Sequence, residues 1–429
     1  MTAEIALLNK ESVALAADSA VTIRTPGGTK ILPSANKIFA LSKHHPVGVM
    51  VYGNAQLLGA PWELLVKTYR KQLGRKEFPR LEDYADDFLR YLERARNFFP
   101  ESVQQAHFRE VASNVFSTIR KNIRTDIAVF VTEHDTATEQ DILDIAERRI
   151  NVAYERSLDL VLQPTLTQEF LDNVKVKWKD DILEGIETIF EKYVQSDAVR
   201  EKLVDLAIAW LCKAVPDHNE GDSGLVVAGY GTDDVYPALR AFKIEGIVDD
   251  HLIYLQHVTW DVEAQGASII PFAQIDVVHT FMEGVDEKYL EVIEQAVAHA
   301  LKGFAEVAAT ESGKRGESLR EFREMLKGLA ERAAEHFVKL GEAYRSEKFA
   351  HPTVEVVAIL PKDRLAAMAE SLVDITALRR QFSMTEETVG GPIDVAVISK
   401  GDGFVWIRRK HYFDKTLNPQ FFHNYFEEG

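Results

Sequence analysis

The sequence predicts an α+β fold, and three observations carry that expectation. Short apolar runs separated by turn residues fill positions 3–52. A long stretch of helical spacing follows, to about residue 213. Strand-length runs then return after residue 224, and the chain closes on a hairpin pattern near residue 402.

Taken in order, residues 3–52 read as four short strands. Their turns are Asn9-Lys10-Glu11, Pro26-Gly27-Gly28 and His44-His45-Pro46. The paired histidines before a proline fit a solvated turn rather than a metal site. Leu57, Leu58, Trp62, Leu65, Val66 and Tyr69, and then Tyr84, Phe88, Leu89 and Leu92, recur at helical spacing. QPTLTQ (163–168) breaks the helical region, and PDHNEGDSG (216–224) reads as a polar surface linker. Its acidic residues lack the spacing of a cation-binding loop, so no metal is expected there.

LVVAGYG, ALRAFKIEG and LIYLQHVTW follow as strands, and GASIIPFAQIDVVHTFMEGVD leads into a Glu- and Ala-rich helix. Within SLREFREMLKGLAERAAEHFVKL, Phe322, Leu326, Leu329 and Ala333 form a stripe expected to meet core or a partner helix. VEVVAIL (354–360) has the length of a strand. LAAMAESLVDITALRRQFS reads as an amphipathic helix, and the last hairpin turns at Gly401-Asp402-Gly403.

Composition excludes several classes. A net charge of -17 argues against nucleic-acid binding, which needs a basic face, and against an anionic lipid surface. No apolar run reaches the length of a bilayer span, and the first residues lack the basic and apolar regions of a secretory signal. Cys212 is alone in LAIAWLCKAV, an apolar helical run, so it is expected to be a core thiol. Together these predict a cytoplasmic protein without cofactor.

The chemistry-bearing residues gather at the start of the chain. Thr2 follows Met1, and a small second residue permits removal of the methionine, leaving a threonine with a free α-amino group. Asp18 ends the run LAAD, and Lys37 stands at the mouth of the run IFAL.

Thr2, LAADS with Asp18, NKIFAL with Lys37, and VGVMVYGNAQ with Gly48 and Gly53 resemble, in order and register, the N-terminal-nucleophile hydrolases of the proteasome β-subunit and bacterial HslV type. The Asp18–Lys37 interval is about three residues longer than in that family, which a longer hairpin at TPGGTK absorbs. The resemblance covers about half the chain. It implies a four-layer α/β/β/α sandwich, decorated by two large helical insertions at 102–215 and 303–350. The core would then comprise 1–101, 216–302 and 351–429.

In that family Thr2 would be nucleophile and base, Lys37 the cation that holds its amino group neutral, and Asp18 the partner of Lys37. The amide of Tyr52 or Gly53 would receive the oxyanion. By register on PFA, Ser268 would support the nucleophile, and Glu386 would replace a supporting aspartate. Two departures stand out: Tyr52 occupies a usual glycine position, and Val389, beside Thr388, occupies a usual serine position. The implied substrate is a peptide or unfolded protein, in a ring or related homo-oligomer that an ATPase unfoldase could feed. A non-catalytic subunit of the same fold, or an amidase for a small amide, are the other readings, since a fold does not set a substrate.

Overall fold

A computed structural model describes residues 3–25, 28–194, 196–212, 223–382, 390–420 and 423. The protein is mixed α+β with antiparallel sheets. The chain opens with β1 (Glu4–Leu8), β2 (Val13–Ala17), β3 (Ala20–Thr25), β4 (Gly28–Pro33), β5 (Ile38–Ala40) and β6 (Val47–Gly53). The small pair β7 (Gln56–Leu57) and β8 (Ala60–Pro61) precedes α1 (Trp62–Leu73) and α2 (Leu81–Arg94). Next come α3 (Glu101–His134), α4 (Glu139–Leu158), α5 (Gln168–Phe190) and α6 (Asp197–Cys212). Strands return as β9 (Ser223–Gly229), β10 (Ala238–Val248) and β11 (His251–Asp261), then the short α7 (Val262–Gln265) and β12 (Ser268–Pro271). The chain ends with α8 (Ile275–Glu283), α9 (Glu287–Glu311), α10 (Gly316–Arg345), α11 (His351–Ile359), α12 (Lys362–Gln381), β13 (Asp394–Ser399) and β14 (Gly403–Arg408).

Two compact units divide these elements. The first comprises Met1–Ile38, Val235–Pro237 and Asp261–Gly429; the second comprises Phe39–Asp234 and Ala238–Trp260.

In the first unit a sheet of order β12-β1-β2-β13-β14 is built from antiparallel neighbours. The β1–β2 turn is tightened by Asn9, whose Oδ1 accepts the amides of Glu11 and Ser12. Ile5, Leu7, Ala14, Ala16, Val395 and Val397 pack on Leu365, Ala366, Ala369, Leu372 and Val373 of α12. Each fully buried Leu or Val there contributes about 1.5–3 kcal/mol of hydrophobic burial. Alternation sends Glu4, Ala6 and Leu8 to the opposite face of β1, and these too are buried.

Six strands, not the four expected, occupy the first 53 residues. Two long runs are each interrupted, one at Asp18-Ser19 and the other at 34–37. At the first break the Asp18 carboxylate takes amide hydrogens that a sheet ladder would otherwise use, accepting from Ala3 and Ala20. Both interruptions carry a candidate site residue.

A second correction concerns 354–360. This apolar run is not a strand but lies in α11, which continues from α10 through a π-turn at Ser346–Ala350 and carries a proline in its first turn. Short apolar runs are ambiguous between strand and helix by periodicity alone. Here Asn9 decides the ending, because its Nδ2 donates to the carbonyls of Val357 and Leu360 at the helix C-terminus.

The helices α9 and α10 form an antiparallel hairpin, and the expected boundary at 303 falls inside α9. Of the predicted stripe, Phe322 and Leu326 are half-buried while Leu329 and Ala333 are exposed.

In the second unit the sheet order is β11-β10-β9-β6-β5. Trp62, Leu65, Val66 and Tyr69 of α1 and Tyr84, Phe88 and Leu92 of α2 cover one face, against Val49, Val51, Leu225, Val227 and Phe242. Helices α3 to α6 build a separate apolar cluster that includes Phe116, Trp178, Ile186, Leu203 and Cys212. Burial pushes the Cys212 thiol up to about 12, which suits a core residue and not a nucleophile.

Candidate functional site

The strand pairing of the first unit creates a buried charge cluster. Glu4 opposes Ala17 in the β1–β2 ladder, and Asp18 is the next residue on that side, its amide donating to the Ala3 carbonyl. The loop before β5 is tied to this corner by the Ala35 amide, which donates to the Ser19 carbonyl. It delivers Lys37, whose Nζ lies 2.5 Å from Asp18 Oδ1 and 3.0 Å from Glu4 Oε1. Glu4 is 2% exposed, Asp18 1% and Lys37 5%.

Asp18 is the hub. Its Oδ1 accepts from the Ala3 amide at 3.0 Å as well as from Lys37, and its Oδ2 accepts from Ala20 at 3.2 Å and Gly390 at 2.9 Å. Taking such ions out of water costs several kcal/mol each, so the cluster persists only because partners replace the lost hydration. Around it, the Ser19 hydroxyl donates to the Pro392 carbonyl, and the Ser19 amide donates to the Gly390 carbonyl at 3.3 Å. One distant chain segment, 390–392, is thereby pinned to the β2–β3 corner.

Of the sequence-predicted residues, Asp18 and Lys37 are brought together. Thr2 and Glu386 lie outside the described residues, as do Thr388 and Val389, while Ala3, the residue after Thr2, is hydrogen-bonded to Asp18. Ser268 is not brought to the cluster. It begins β12 opposite Leu8, at the far end of β1 from Glu4, four residues and roughly 13 Å along the strand. The β12 end that reaches Glu4 is Pro271-Phe272, where the Phe272 amide donates to the Glu4 carbonyl at 2.9 Å.

Tyr52 and Gly53 end β6 in the second unit. The Tyr52 ring lies over Gly224 of β9, so close that a Cβ there would sit 2.0 Å from the ring. Its hydroxyl is 2.9 Å from His257 Nε2 on β11. Gly53 has φ of 76°, a conformation that favours glycine, and it terminates the strand.

Sequence reasoning missed Glu4, the Gly390 amide and the Tyr52–His257 pair. The signal for Glu4 was present, since a carboxylate stands alone at the head of the otherwise apolar strand EIALL. The other two depend on pairings between strands far apart in sequence.

His44 and His45 cap a turn, their amides donating to Ser42 Oγ. The acidic residues at 217, 220 and 222 lie outside the described residues. Among the described residues, no group of three or more His, Cys, Asp or Glu could hold a metal ion. No described helix is long and apolar enough to cross a membrane.

Compared with known protein families and with curated proteins, the chain has no match.

Proposed function

We propose that this chain is an N-terminal-nucleophile hydrolase, a proteasome-like threonine peptidase with a four-layer α/β/β/α core, working as a homo-oligomer. The observation that supports it is the buried Lys37 ammonium, held by Asp18 while Asp18 also grips the amide of Ala3. A non-catalytic subunit has no use for a desolvated cation at the head of its first strand.

In this reading removal of Met1 exposes the α-amino group of Thr2. An α-amino group has an ordinary pKa of about 7.7–8.0 and is substantially neutral near pH 7.5, so it serves as base where a lysine could not. The Thr2 hydroxyl attacks the peptide carbonyl and its proton passes to the amino group. The C–N bond breaks, the leaving amine takes that proton, and an ester remains on Thr2. Water then attacks the ester, giving up its proton to the amino group, and the carboxylic acid departs with Thr2 restored. Lys37 orients the hydroxyl, Asp18 holds Lys37, and a backbone amide stabilises the oxyanion.

The test is the intact mass of protein from its native host, before and after an epoxyketone or β-lactone probe. Loss of Met1 with one adduct on Thr2, abolished by Thr2→Ala, supports the reading. Retained Met1 without adduct overturns it and leaves the non-catalytic subunit. If the adduct forms but peptide libraries are not cut, a small-molecule amide becomes the substrate. An ATPase unfoldase would act only on the peptidase branch.

A further inference from the structure

The α9–α10 hairpin is packed through its smallest side chains. Its fully buried residues are Ala305, Ala309 and Ala330. Five large apolar residues of α10 are left outside: Met325, Leu329, Phe337, Leu340 and Tyr344 are each between 41% and 60% exposed, while Phe322 and Leu326 are half-buried. Their spacing, with exposed Ala333 between Leu329 and Phe337, follows steps of three and four residues and so lies along one side of the helix. With only alanines fully withdrawn from water, the hairpin leaves much of its apolar surface uncovered, and an apolar stripe of this length normally meets another helix.

We propose that this stripe of α10 docks against α10 of a second copy of the chain, antiparallel about a two-fold axis. Half-exposed side chains of this size offer on the order of 100 Å² each, roughly 500 Å² in all. With polar flanks added, a helix-on-helix contact approaches the ~800 Å² per partner of a standard interface.

Charge selects the partner. The chain carries -17, yet α10 contains six acidic and six basic side chains. Two copies of this helix can therefore meet without the repulsion that the rest of the chain would impose. A nucleic acid or an anionic membrane would need a basic polar face, which this balanced helix lacks. A two-fold contact needs only a self-complementary patch, and an antiparallel pair of identical neutral stripes supplies one. The proposal names the contact for the self-assembly proposed above and rests on that part of the reading alone, not on the hydrolase chemistry.

The experiment uses the full chain, with mass in solution measured by light scattering and sedimentation. The Leu329→Glu/Leu340→Glu double variant is compared with wild type, with circular dichroism to check folding. Leu329→Cys, Ala333→Cys and Phe337→Cys are oxidised separately; the sole native thiol, Cys212, is buried and does not interfere. The expected result is an oligomeric wild type, a double variant whose mass falls by about half, and a disulfide-linked dimer from the cysteine nearest the axis. An oligomeric wild type with a folded double variant of unchanged mass and no cross-link overturns this contact but leaves self-assembly intact. A wild type monomeric at its highest soluble concentration overturns both. If the double variant misfolds, the cysteine set alone decides: a cross-linked dimer supports the contact and none overturns it.

Discussion

Glu4 Oε1 stands 3.0 Å from the Nζ of Lys37, the same ammonium that lies 2.5 Å from Asp18 Oδ1. Two buried carboxylates thus share one buried cation, and the pairs are not equivalent. Asp18 also satisfies three backbone amides, while Glu4 faces Lys37 from the first position of β1.

That asymmetry orders the effects of substitution. Lys37→Met leaves two facing carboxylates without their cation, and Asp18→Asn breaks the hub, so each costs about 3–5 kcal/mol of unfolding free energy. Glu4→Gln leaves a one-to-one ion pair and costs no more than about 1–1.5 kcal/mol. Urea unfolding of the three variants measures this, and equal losses from all three would contradict the ranking. The ranking does not depend on catalysis.

Asn9 joins the β1–β2 turn to the end of α11 through the carbonyls of Val357 and Leu360. Asn9→Ala removes both roles and is expected to destabilise by about 1–2 kcal/mol. Hydrogen exchange localises the change: amides of His351–Ile359 should lose protection before those of α12.

Gly224 is required by the ring above it. Gly224→Ala would drive a Cβ into the Tyr52 ring, forcing the ring aside and costing at least about 1–3 kcal/mol. Its hydroxyl would then leave His257. Thermal denaturation reads the first effect and the His257 imidazole NMR shift the second.

His107 on α3 packs against Gly246 of β10, and its Nε2 is buried without a hydrogen-bond partner among the described residues. Burial presses its pKa from 6.5 down to about 4. The folded protein therefore keeps this imidazole neutral, while the unfolded chain binds a proton below about pH 6.5. The contribution is full above that pH and is lost as pH falls toward 4, by at most about 3 kcal/mol. Stability measured between pH 7 and 4.5 should decline less steeply in His107→Gln; an unchanged slope would rule out His107 as the cause.

Cys212 gives a simpler check. A thiol raised to about 12 in an apolar cluster should react with a disulfide reagent only at the rate of unfolding. Fast labelling of the folded chain would place it at the surface.

The sequence by itself determined what depends on local pattern. The β1–β2 hairpin, the buried face of α1 from Trp62 to Tyr69 and the closing hairpin at 394–408 follow from apolar periodicity and turn residues, which act over a few positions. Asp18 and Lys37 could be named because each sits at a visible break between apolar runs. The tertiary structure decided the rest. The run 354–360 became the end of a helix, and the residue that caps that end is Asn9, some 350 positions earlier in the chain. The end of β12 that meets Glu4 was set by strand register, and a slide of four residues left Ser268 beside Leu8. Glu4 became a partner of Lys37 only when a loop more than thirty residues away closed over β1. Periodicity says which face a residue takes, but only long-range pairing says what waits on that face.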